Sequence, residues 1–91
     1  MQKNNNKAKY TPTQIANTFL EKAENDKIQL HITQLMYLVY KSYTWYLYFT
    51  DKDLFCEKIE AWECGAVIPS LMSQMQSHIR GNIIPHNFRF N

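Results

Sequence analysis

The chain has 91 residues, 45% hydrophobic and 14% aromatic, which is one domain's length. A chain this short buries only about 60% of its unfolded surface, and aromatics burying about 150–250 Å² each partly offset that. Two glycines and three prolines argue against a turn-rich β fold, and ten basic against eight acidic side chains leave +2 without an arginine-rich run.

Residues 1–10 are rich in Asn and Lys and read as a disordered basic tail: Lys3, Lys7 and Lys9 stand there without an acid. No apolar leader core opens the chain, so a cytoplasmic location with reduced Cys56 and Cys64 is expected. Thr11-Pro12-Thr13-Gln14 has the form of a capping box with proline at the first helical position. Ile15, Ala16, Phe19, Leu20 and Ala23 follow at helical spacing, so the first helix is predicted over 12–25. Glu24-Asn25-Asp26-Lys27 ends it, and Ile28 to His31 connect to the next element.

The central element is ITQLMYLVYKSYTWYLYF, Ile32 to Phe49. Leu35, Val39, Ser42, Tyr46 and Phe49 make one stripe, with Met36, Tyr40, Tyr43 and Leu47 beside it, a broad apolar helical face that other elements should cover. Its residues also suit a strand, but its length favours a helix, predicted over 33–49 with Thr33 as its cap. Lys41, Ser42 and Thr44 at its centre argue against a membrane span, since a central lysine costs about 2.5–3.5 kcal/mol even on the mildest scale. Tyr37, Lys41, Thr44, Trp45 and Tyr48 lie off the two stripes, spaced by three and four as one strip of three aromatics with one cation. That is the composition of an interface, and this strip is the candidate partner-binding surface unless other helices cover it.

Thr50 to Asp53 form a polar break, after which Leu54 and Phe55 return to the core and Ile59, Ala61 and Trp62 suggest a short extended segment. Gly65 supplies a turn, and Pro69 starts a third helix, predicted over 69–80, that buries Leu71, Met72, Met75 and Ile79 and stops at Gly81-Asn82. Residues 83–91 lack a helical period; Ile83, Ile84, Phe88 and Phe90 could pack down as an extended tail. The expected fold is therefore mainly α: a single-domain bundle of three helices around a central apolar one, with at most one or two short strands. The domain runs over 11–82, with 83–91 as its C-terminal tail.

Chemical motifs are missing. There is no glycine-rich phosphate loop, HExxH or nucleophile elbow. Cys56, Cys64, His31, His78 and His86 lack the paired close spacings of a zinc site. The expectation is no enzyme, no metal and no cofactor.

Leu35-Met36-Tyr37-Leu38-Val39-Tyr40, Trp45-Tyr46-Leu47, Leu54-Phe55 and then Ile59 to Leu71, IEAWECGAVIPSL, fall in order and spacing like the Panacea domain, the SocA-like antitoxin family of bacteria and their phages. The resemblance covers about residues 13–81, and its specific block is Glu60, Ala61, Trp62, Gly65, Val67 and Pro69. The chain departs from the family pattern at Met36-Tyr37, usually Gln-Lys, and at Ala66, usually Pro. It also lacks the family's C-terminal portion, so it looks like a shortened or divergent member. The resemblance implies a helical binding module that neutralises a toxin or another target protein, without catalytic residues.

Within the motif block, Trp62 and Gly65 have a functional reading as a recognition surface, but the structural one is preferred: Trp62 is expected to plug the core and Gly65 to permit the turn before the third helix, since a small domain needs its large side chains inside. The alternative function is a nucleic-acid-binding regulator using the basic ends: residues 1–9 hold three lysines and residues 78–91 hold Arg80 and Arg89, against five lysines and eight acids (−3) between them. A homodimer is also compatible with so short and aromatic a chain.

Overall fold

The computed structural model describes residues 9–91; residues 1–8, most of the expected disordered tail, lie outside the described residues. In chain order the elements are α1 (Pro12–Asn25), α2 (Ile32–Thr50), β1 (Glu60–Trp62), β2 (Gly65–Val67) and α3 (Pro69–His78). The described chain is mainly helical with one two-stranded antiparallel sheet.

The predicted capping box opens α1. The Thr11 N–H donates to Gln14 Oε1 (2.9 Å) and the Gln14 N–H to Thr11 Oγ1 (3.2 Å), so two otherwise orphaned donors are satisfied. The inner face of α1 carries Ala16, Leu20 and Ala23. It ends where Lys27 takes a left-handed φ of 59°.

The cap of α2 is His31, not Thr33, which lies inside the first turn. Gln34 decides this, because its Oε1 accepts the His31 N–H at 2.8 Å, the carboxamide half of a capping box. Ile32, Leu35, Met36 and Val39 are buried, but no α2 residue after Val39 is fully so. Tyr46, Tyr40 and Tyr43 are half-buried, while Leu47 and Phe49, expected in the core stripes, are on the surface. Length gives the reason. At about 1.5 Å per residue, α1 spans about 21 Å and α2 about 28 Å, so α1 cannot cover all of its neighbour.

After α2, Asp51 in the left-handed conformation (φ 59°) turns the chain, and Leu54 and Phe55 re-enter the core. The Leu54 carbonyl accepts the Tyr10 N–H at 3.2 Å, which ties the residue before the α1 cap to this segment. The hairpin pairs Glu60 with Val67, Ala61 with Ala66 and Trp62 with Gly65. Gly65 sits at φ +120°, and a Cβ there would meet nothing within 4 Å, so backbone conformation rather than crowding calls for glycine. Strand β2 packs on α2 and delivers Val67 and Ile68 into the core.

Helix α3 starts at Pro69 as predicted and buries Leu71, Met72 and Met75. It stops at His78, two residues short of the predicted end. Ile79 turns extended (φ −120°, ψ 130°) to bury its side chain, and Gly81 (φ +77°) belongs to the turn after that.

The segment after α3 is tied to the start of the fold. Ile32 N–H donates to the Asn82 carbonyl (2.8 Å) and Ile84 N–H to the Leu30 carbonyl (3.0 Å). Asn17 brackets Phe90, donating from Nδ2 to its carbonyl (3.0 Å) and accepting its N–H at Oδ1 (2.8 Å). Ile84 and Phe90 are buried, whereas Ile83 faces solvent, as period-two alternation of an extended segment requires.

Candidate functional site

The C-terminal half of α2 leaves the core as a helix, so its side chains keep helical spacing while losing cover. Of the predicted strip, Tyr37, Trp45 and Tyr48 are 57%, 55% and 81% exposed, and Lys41 and Thr44 are half-buried between them. The Lys41 ammonium lies 5.9 Å from the Tyr37 ring centroid, a cation–π distance. The Thr44 hydroxyl donates to the Lys41 carbonyl (3.0 Å) and Ser42 to Leu38 (2.9 Å), so these polar groups are satisfied within the helix and leave the face apolar.

Phe49 joins this strip although periodicity assigned it to the core. Its ring stacks on Trp45 (5.3 Å, 22°) and meets Tyr48 edge-on (5.1 Å, 84°). The available signal was the shortness of the first predicted helix beside the second. At the other end of the strip a shallow groove beside Tyr37 is lined by Leu30, Thr33, Gln34 and Leu38. Exposed aromatics in mutual contact on a rigid helix are what a binding surface requires.

Tyr43 fastens the flank. Its hydroxyl donates to Asp53 Oδ1 and its ring lies 5.0 Å from Phe55. The hydrogen bond to Asp53, then burial, push the phenol up to about 12, so Tyr43 stays protonated at neutral pH.

The motif block divides between surface and core. Val67 is fully buried and Pro69 opens α3, both as a structural role requires, while Gly65 opens β2 directly after the turn at 63–64 rather than making a turn next to α3. Trp62 is not a core plug: it is 42% exposed, and its indole N–H donates to Glu60 Oε1 at 2.8 Å. The core side of the hairpin is reached through β2, so β1 is the outer strand, and Glu60, Ala61 and Trp62 are all exposed. Trp62→Ala should therefore lower stability by no more than about 1 kcal/mol, the scale of a cross-strand pair. Urea denaturation checks this, and a loss of about 3 kcal/mol or more would return Trp62 to the core.

Three cations of the basic ends, Lys9, Arg80 and Arg89, lie among the described residues. Arg89 pairs with Glu24 and also donates to the carbonyls of His86 (3.1 Å) and Phe88 (2.7 Å). Lys9 sits 5.9 Å from the Tyr10 ring, Arg80 is exposed, and Lys3 and Lys7 lie outside the described residues.

Among the described residues no group of three or more His, Cys, Asp or Glu side chains comes together to hold a metal ion. Among the same residues no helix is long and apolar enough to cross a membrane. Comparison of the chain with protein-family models, with curated proteins and with solved structures finds no match in any of the three.

Proposed function

We propose that the chain is a non-enzymatic protein-binding module that resembles an antitoxin and inhibits a partner protein, a toxin or a host or phage defence factor, by direct contact in the cytoplasm. The domain would then be a small helical bundle around α2, in the manner of a Panacea domain. One observation carries the reading: Tyr37, Trp45 and Tyr48, with Phe49 against them, are large aromatics held on one helix outside the core. Such residues make binding hot spots, because they offer much contact area for few rotatable bonds. The strip also includes Tyr37, where the family pattern has lysine, so partner choice could differ from the family's without disturbing the core.

The test is quantitative capture of a partner from the source cell, followed by titration with variants. Tyr37→Ala and Trp45→Ala should each weaken the complex by about 2 kcal/mol or more, roughly 30-fold, with melting temperatures close to the parent's. Repeated failure to recover a partner overturns the proposal, as does a complex indifferent to both substitutions.

A further inference from the structure

We propose that the exposed half of α2 pairs antiparallel, across a two-fold axis, with the same half-helix of a second copy of this chain. The inference rests on the reading of α2 as a binding face and names one occupant for it. Such a dimer and a complex with another protein would be mutually exclusive, so the second copy would shield the face until a partner displaces it.

Charge selects the occupant. Lys41 is the only charged residue of α2, and the helix ends in Asp51, where the negative end of the helix dipole adds to the carboxylate. Neither Lys41 nor Asp51 forms an ion pair with another described residue. They are ten positions apart, about 15 Å along the axis at about 1.5 Å per residue. A two-fold axis midway, level with Tyr46, sets each Lys41 across from the other copy's Asp51. Trp45, Tyr48 and Phe49 of both copies then lie between the two charge pairs. A parallel pairing would set lysine against lysine and aspartate against aspartate. The self-complementary arrangement is isologous, as two-fold contacts must be.

Area sets the strength. With about 150–250 Å² per aromatic, the exposed portions of Trp45, Tyr48 and Phe49 come to about 400 Å² per copy. That lies within the range for the largest apolar patch of a monomer, and short of the roughly 800 Å² per partner of a standard stable interface. The dimer should therefore be weak, with a dissociation constant in the micromolar range or above.

Sedimentation velocity over a concentration series from about 1 to 500 μM, at low salt, reads this directly. The intact chain should pass from monomer to dimer. Tyr48→Asp changes the most exposed ring, so it should weaken association at least tenfold with an unchanged melting temperature. Lys41→Asp and Asp51→Lys should each dimerise at least fivefold more weakly alone, because each homodimer then faces like charges. Mixed in equal amounts they should regain association, because position 41 of each variant then meets the opposite charge at position 51 of the other. Lys27 occupies the same left-handed conformation (φ 59°) as Asp51, so a lysine is accommodated there, and melting curves verify that each variant is folded.

A monomer at every concentration overturns the inference, and so does a dimer indifferent to Tyr48→Asp. A mixture that fails to recover association overturns the antiparallel register. These results separate from those for the proposed function. A monomer that still captures another protein through Trp45 sinks the dimer alone, and a dimer that captures nothing sinks the inhibitor reading alone.

Discussion

Phe55→Ala is expected to leave most of the protein unfolded in dilute buffer at room temperature. Phe55 is 1% exposed, the largest fully buried side chain of the domain, and it follows the turn after α2. Its ring lies 5.0 Å from Tyr43, whose hydroxyl is bound to Asp53, so both sides of that turn are fixed through it. Truncating a buried phenylalanine costs about 3–5 kcal/mol through lost burial and the cavity left behind. A domain of this size holds about 5 kcal/mol or a little more, so the loss takes nearly all of it. Circular dichroism against urea should show the cooperative transition gone or displaced to very low denaturant. A shift worth less than about 1 kcal/mol would mean that Phe55 is not in the core.

Phe90→Ala should cost nearly as much, although it lies far along the chain from the helices. Phe90 is buried, packs edge-on against Phe88 (5.0 Å, 86°), and both its backbone polar groups are held by Asn17. Loss of the ring alone predicts about 3–5 kcal/mol. Asn17→Ala keeps the ring but leaves a backbone donor and acceptor half-buried without partners, for about 1–3 kcal/mol. The double variant should cost less than the sum, because once the segment is loose neither residue has anything left to lose. Urea melts of the three variants check this, and strict additivity would show that Asn17 and Phe90 act separately.

Local chemistry was legible in the sequence. Thr11, Pro12 and Gln14 announced the start of α1 and Pro69 the start of α3, and the structure follows them within a residue. These signals act over three or four residues, so no tertiary knowledge is needed to read them. Burial was legible only where an element has cover on the relevant side. Leu35 and Val39 obeyed the helical stripe, while Phe49 on the same stripe did not, because periodicity says which residues share a face but not how far the neighbouring helix reaches. Trp62 failed for a related reason. Its size argued for burial, but which strand of a hairpin faces the core is decided by β2 meeting α2, a contact between distant segments. Ile79 shows the third limit: a buried side chain on an extended backbone ended α3 before the glycine that seemed to mark its stop.

The grip of Asn17 on Phe90, across 73 positions of sequence, also sets when folding can finish. Contacts so distant in the chain form late and slow the search, because a long loop must close before they contribute. On a ribosome adding about 5–20 residues per second, α1 and α2 wait several seconds before residue 90 exists. During that interval the faces of Leu20, Ile32 and Leu35 lack the Ile84 and Phe90 side chains of the final core. Apolar surface exposed in that way is what makes incompletely folded chains prone to associate.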